Sequence, residues 1–211
     1  MSKELAMNSK SKTIFIVALL AVLSLGTVYF SKKGVDYRQQ QLKELDNNYG
    51  RIDFSSEYGS YNIIPSTLSG KVGVVSFIFR KDDIDPLMIQ LGRIHEQFNA
   101  REDVLLVTNV VREPTDSIPY IDQIFERNGM VQDLSQWIMN AGDLDMVQDL
   151  ARTGYFLNQI DGSTPIHIVI DDQGVIRNIY NAHNADEVRN MIQHITTLLP
   201  RKRDADIKVK R

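Results

Sequence analysis

Residues 72–111 read VGVVSFIFRKDDIDPLMIQLGRIHEQFNAREDVLLVTNVV, and this stretch decides the fold. Val72–Phe79 is a nearly unbroken apolar run of strand length, the pattern of a central strand covered on both faces. Leu87, Leu91, Ile94 and Phe98 then recur at i, i+4, i+7 and i+11, the spacing of one buried helical stripe. Val104–Val111 is a second β-branched run, so the economical reading is strand, helix, strand, with the two strands parallel. Asp85 directly precedes Pro86 and the stripe, which makes it the expected N-cap with proline at the first helical position. Lys81, Asp82 and Asp83 then fall in a solvated loop, where exposed ion pairs contribute at most about 1 kcal/mol.

Toward the C-terminus, Ile121, Ile124 and Phe125 mark a further helix after the capping candidates Asp116 and Ser117. Trp137–Met139 is long enough for a short strand. Asp143 caps a helix through Leu144, Val147 and Leu150 that stops at Gly154. Ile166–Ile170 and Val175–Tyr180 flank the turn Asp171-Asp172-Gln173-Gly174, which predicts a hairpin. Asn184 caps the last helix, with Val188, Met191, Ile192, Ile195 and Leu199 on its inner face. A parallel strand–helix–strand unit, an antiparallel hairpin and a closing helix make an α/β domain of thioredoxin-like arrangement, a central mixed sheet flanked by helices. No internal repeat is visible.

Toward the N-terminus, Thr13–Phe30 (TIFIVALLAVLSLGTVYF) is an uncharged, apolar 18-residue run, just sufficient to cross about 30 Å of hydrocarbon as a helix. The following Ser31-Lys32-Lys33-Gly34 offers no small-x-small cleavage site, which favours a retained anchor over a cleaved signal peptide. The expected organisation is a short cytoplasmic N-terminus (1–12), a transmembrane anchor (13–30), a polar, partly helical linker (31–57), the thioredoxin-like domain (58–199) and a basic disordered tail (200–211). Within that scheme, residues 58–69 read as an irregular or hairpin lead-in packed on the domain. Lys3, Lys10 and Lys12 before the span are balanced by Lys32, Lys33 and Arg38 after it, so charge bias alone does not orient it. The net charge of −3 conceals two basic ends, each about +4, around a body of about −11 over residues 39–199. An acidic body of this kind argues against a nucleic-acid partner. The tail suits contact with anionic lipid or an acidic partner.

Three segments resemble the Sco/SenC family of copper chaperones for cytochrome oxidase assembly. Trp137-Ile-Met-Asn-Ala-Gly-Asp143 followed by Leu150-Ala-Arg-Thr-Gly-Tyr-Phe156 is similar to the family's W-x-F-L-T-G-D and L-A-R-x-G-Y run. Asp171-Asp-Gln-Gly-Val-Ile-Arg-Asn-Ile-Tyr180 resembles its D-x-x-G-x-I-R-G-x-Y hairpin. Val74–Phe79 and the helix after Pro86 match the region where the family carries T-x-C-P-x-x-C-P. The likeness covers residues 68–199 with no single motif intact. It implies a thioredoxin fold, a cytoplasmic N-terminus, a single-pass bacterial inner-membrane anchor and a periplasmic C-terminal domain.

The same resemblance locates what is missing. The family holds copper with two thiolates and a histidine, a soft set suited to copper(I). Those positions correspond here to Lys81, Asp85 and Ser163, and the chain contains no cysteine at all. Thiol–disulfide exchange, which needs a thiolate, is therefore excluded. Pro165, just before a strand, is a candidate cis-proline of the thioredoxin type, and an ordinary trans proline at a strand start remains the alternative. The acids Asp82, Asp83 and Asp85 lack the ligand count and spacing of a known hard-cation motif. His95, His167, His183 and His194 stand at no mutual ligand spacing, and Ser163 and Thr164 have no nucleophile elbow around them. Met88, Met130, Met139, Met146 and Met191 are not paired as M-x-x-M, and most fall on core stripes.

No catalytic, cofactor-binding or metal residue is assigned, and no cofactor is expected. The resulting expectation is a non-catalytic, membrane-tethered accessory or assembly factor of a respiratory membrane complex such as cytochrome c oxidase. A metallochaperone or thioredoxin-like enzyme with a non-standard metal site is the alternative. An exposed apolar patch on the domain is the feature that favours the first, because a partner surface requires one and a soluble metal carrier does not.

Overall fold

The computed structural model of the chain describes residues 9–54, 65–114, 116, 120–131, 133–158 and 161–200. The chain divides into two compact units, Met1–Lys43 and Glu44–Arg211.

Helix α1 runs Ser9–Glu44, 36 residues or about 54 Å of continuous helix. It is the one helix among the described residues long and apolar enough to cross a membrane. The large apolar side chains from Phe15 to Phe30 are exposed. Its two mid-span hydroxyls, Ser24 and Thr27, donate back to the carbonyls of Leu20 and Leu23 at 2.8 Å, which satisfies them without water. The polar stretch after Phe30, expected as a partly helical linker, stays helical for another 14 residues: the helix runs on through Gly34, and no proline interrupts it before Glu44.

Among the described residues the folded unit is built on five strands: β1 (Val72–Ile78), β2 (Val104–Val111), β3 (Trp137–Gly142), β4 (Ile166–Ile170) and β5 (Ile176–Asn181). Their spatial order is β3-β2-β1-β4-β5. β1, β2 and β3 are mutually parallel, while β4 is antiparallel to β1 and to β5. This is the thioredoxin-like arrangement read from the sequence. The helices are α2 (Lys81–Phe98), α3 (Tyr120–Arg127), α4 (Leu144–Asp149) and α5 (Ala185–Leu198), with a wider helical turn over Leu150–Gly154 after α4.

Alternation along the strands sorts two apolar layers. Val72, Val74, Ile78, Leu106 and Val110 face α2, α3 and α5, where Leu87, Met88, Leu91, Ile94, Ile124, Met191 and Ile195 complete one core. Val75, Phe77, Leu105 and Val107 face the other way, against Val147, Leu150, Ala151 and Tyr155. From the stretch also expected in the linker, Ile52 and Phe54 join this second layer, and Tyr49, Gly50 and Ile52 exchange backbone hydrogen bonds with the Gly174–Ile176 segment.

Two of the expected caps stand. Asp143 accepts from the Met146 N–H at 2.8 Å, and Asn184 accepts from Asp186 and Glu187. Two do not. Asp116 does not cap α3: its carboxylate accepts from the Glu113 N–H at 2.7 Å and closes the β2–α3 loop. Ser117 and residues 58–64 of the expected lead-in lie outside the described residues, as do residues 1–8 and the tail from Arg201. Asp85 is not a cap either, because α2 begins one turn earlier at Lys81 and Pro86 sits inside it. The early start is physically reasonable. Asp82 and Asp83 in the first turn complement the helix dipole, and proline so near the N-terminus forfeits a single intrahelical hydrogen bond.

Candidate functional site

Ligands of open α/β sheets gather at the carboxyl ends of the parallel strands. In this chain that end carries the Arg80–Lys81 step from β1 into α2. It opens on a cleft of about 470 Å³ lined by Phe79, Lys81, Asp82, Arg112, Glu113 and Leu144. Lys81 and Asp85 belong to this junction, and neither is free. Lys81 Nζ donates to Asp116 Oδ1 at 2.6 Å and lies 3.6 Å from Glu113 Oε2. The hydrogen bond that Lys81 donates to Asp116 raises the Lys81 ammonium further above its ordinary range, and the same bond, with that from the Glu113 N–H, lowers Asp116. An amine held so firmly protonated is no nucleophile.

Asp85 Oδ1 accepts from Arg127 Nε at 2.8 Å and from Asn128 Nδ2 at 2.9 Å, tying α2 to the end of α3. Asp83, expected in a solvated loop, is instead nine-tenths buried in the first turn of α2. Its Oδ1 accepts from His183 Nε2 at 3.1 Å, and its other oxygen has no hydrogen bond. Asp82 lies 3.8 Å from Arg80. Asp83 Oδ2 also lies 4.0 Å from Arg80 Nε, so Asp82 and Asp83 share Arg80 while Asp85 turns to Arg127.

Ser163 is used locally. Asp161 accepts from the N–H groups and hydroxyls of both Ser163 and Thr164 at 2.8–3.1 Å, and these bonds hold its carboxyl well below the usual range. That turn delivers the chain to Pro165, which heads β4 and accepts from the Ala182 N–H at 3.0 Å through its carbonyl.

The histidines are also engaged. His167 is fully buried; its Nδ1 lies 2.8 Å from Ser76 Oγ and its Nε2 2.8 Å from Gln90 Oε1. Gln90 in turn donates to the Ala182 carbonyl, which leaves Oε1 as an acceptor, so Nε2 carries the proton and Nδ1 receives the Ser76 hydroxyl. Burial pushes His167 down to about 4, so the ring is neutral in this network. His194 Nδ1 meets Tyr180 Oη at 2.5 Å, and burial lowers His194 while Glu44, 3.5 Å away, opposes the shift. His95 pairs with Asp133 at 3.3 Å beside the Trp137 ring.

Copper(I), implied by the family resemblance, does not fit these residues. The three corresponding positions offer an ammonium, a carboxylate and a hydroxyl, hard groups already bonded to Asp116, to Arg127 and Asn128, and to Asp161. Among the described residues no three His, Asp or Glu side chains form a metal-holding group. No step through copper is derived. These ion pairs are not readable from the sequence, because Lys81 and Asp116 are separated by 35 residues and Asp83 and His183 by 100.

Fold and site together define a thioredoxin-like domain without thiols, in a chain that also carries a helix apolar and long enough to span a membrane. No family model matches the chain, and no curated protein matches it. Solved structures do. The apo Sco1 protein from Thermus thermophilus aligns with 18% identity and a TM-score of 0.49, covering 72% of this chain and 98% of that one. BsSco, a member of the Sco family of cytochrome c oxidase assembly proteins with a disulfide switch, aligns at 15% identity and a TM-score of 0.46, over 64% of this chain and 85% of that one. A putative protein disulfide isomerase from Bacteroides thetaiotaomicron gives 17%, 0.47, 67% and 81% in the same order. The fold class stands on strand order and register, independently of these likenesses.

Proposed function

We propose that this chain is a Sco-like protein that has exchanged copper and thiol chemistry for a set of ion pairs. It then acts as a non-catalytic accessory or assembly factor of a respiratory membrane complex such as cytochrome c oxidase. The observation that carries the reading is the Lys81–Asp116 pair, 2.6 Å apart, at the position that corresponds to the family's first thiolate. An ion pair there neither attacks nor coordinates, yet it keeps the start of α2 joined to the loop after β2 and so maintains the surface. In this reading α1 anchors the protein in the bacterial inner membrane with its N-terminus in the cytoplasm and the folded unit in the periplasm. The basic residues after Pro200 face anionic lipid or an acidic partner.

The test is genetic. Deleting the gene should lower the level of assembled oxidase, and added copper salts should not restore it, whereas re-expressing the chain should. Normal oxidase in the deletion strain, or full rescue by copper alone, would contradict the proposal.

A further inference from the structure

Helix α3 has only 8 residues, so its last turn depends on what holds it from beyond the helix. It closes in a Schellman arrangement: the Met130 N–H donates to the Phe125 carbonyl at 2.9 Å and the Gly129 N–H to the Glu126 carbonyl at 3.0 Å, with Gly129 at φ +66°. Asn128 directly precedes that glycine. Asn128-Gly129 is the sole Asn-Gly step in the chain.

An Asn-Gly step carries its own chemistry, because the glycine has no Cβ to hinder the approach of its amide nitrogen to the asparagine side chain. The nitrogen attacks Cγ, the Cγ–Nδ2 bond breaks, and ammonia departs with the proton that the glycine nitrogen sheds. A cyclic succinimide remains, which water opens at either carbonyl to give aspartate or isoaspartate. Water is the sole co-reactant, and it is at hand: Gly129 is exposed and Asn128 half-buried.

In the folded chain both reacting groups are occupied. Asn128 Nδ2 donates to the Ile124 carbonyl and to Asp85 Oδ1, both at 2.9 Å, and the Gly129 nitrogen is engaged with Glu126. The bonds to Ile124, Phe125 and Glu126 last only while the turn stays wound, and helix ends fray. Asp85 holds that turn from α2, since its Oδ1 also accepts from Arg127 Nε at 2.8 Å. We propose that Asn128-Gly129 is a latent deamidation site and that Asp85 is the positioning residue that keeps it closed. Opening the site has a one-way consequence. A carboxylate then replaces the amide donor that now lies 2.9 Å from Asp85, so attraction becomes repulsion and the tie between α2 and α3 does not re-form.

The test incubates the full chain in detergent micelles at mildly alkaline pH and follows deamidation at Asn128 by peptide mass mapping. The native chain should react far more slowly than the same chain unfolded in urea. Asp85→Ala should speed the reaction about fivefold, the loss of roughly one hydrogen bond. Asp85→Asn, whose side-chain oxygen still accepts from Arg127 and Asn128, should stay near the native rate. Gly174→Ala, which strains the distant β4–β5 turn, should also stay near it, because the route is local fraying and not global unfolding. Equal rates in the native and unfolded chains, or a native rate in Asp85→Ala, would overturn the proposal. So would Asp85→Asn reacting as fast as Asp85→Ala, or an equal acceleration in Gly174→Ala.

Discussion

Ser76 and His167 face each other across the β1–β4 pairing, hydroxyl to ring nitrogen at 2.8 Å, with both side chains wholly buried. A serine beside a histidine invites a catalytic reading, and the rest of the network removes it. The far ring nitrogen is spent on Gln90, the histidine is held neutral by burial, and no solvent reaches either group. The pair is a polar rivet that ties the hairpin half of the sheet to the parallel half.

His167 gives the fold an acid sensitivity of defined sign. The ordinary histidine value is 6.5 and the folded one about 4, so between these the unfolded chain binds a proton that the folded chain refuses. The His167 contribution is therefore complete above pH 6.5 and lost as pH falls toward 4, amounting to roughly 3 kcal/mol at the limit. Urea denaturation at pH 7.5, 6, 5 and 4 should show this decline, and His167→Gln should flatten it. An unchanged slope in the variant would contradict the assignment.

Asp83 and His183 depend on each other. His183→Ala leaves a buried carboxylate without a hydrogen bond and should cost about 1 kcal/mol, a value kept modest because the His183 ring is half exposed. Asp83→Asn in that background should recover part of the loss. A double-mutant cycle on denaturation midpoints measures the coupling, and strict additivity would show that the contact is idle.

Asp85 should behave as a surface tie rather than as a helix cap. Asp85→Ala frees Arg127 and Asn128, and because both charged partners are half exposed the loss should stay under about 1 kcal/mol and shrink in high salt. Amide exchange in the first turn of α2 should be unaffected. Faster exchange at Lys81–Ile84 would restore the capping role.

Gly174 closes the β4–β5 turn at φ +84°, a left-handed conformation, and a Cβ there would meet the Phe54 ring at 2.8 Å. Gly174→Ala should cost about 1–2 kcal/mol through backbone strain and displacement of Phe54, read as a lower denaturation midpoint. An unaltered midpoint would mean that the turn relaxes freely.

The parallel β1–β2 pair and the β4–β5 hairpin were legible because β1, β2 and β4 are largely apolar runs and α2 and α5 carry periodic stripes, whereas β3 and β5 mix in polar residues. Asn184 and Asp143 were legible as caps because a cap is local. Asp85-Pro86 misled for the same reason: it imitates a helix start, while the actual start at Lys81 lies a turn earlier, in a segment whose Asp83 is buried against His183 a hundred positions away. The continuation of α1 to Glu44 was legible only as a partly helical linker, because a polar helix lacks an apolar period. The absence of thiolates was plain from composition. The pairing of Lys81, at the start of α2, with Asp116 in the β2–α3 loop is a tertiary fact that no spacing encodes.

The most direct test of the central claim is titration of the purified full-length chain with copper(I) against a competing chelator. The account predicts no binding tighter than about micromolar, since every group at the corresponding positions is hard and already bonded. Stoichiometric binding that outcompetes the chelator would contradict it, and substituting His183, His167 and Asp85 in turn would then locate the ligands.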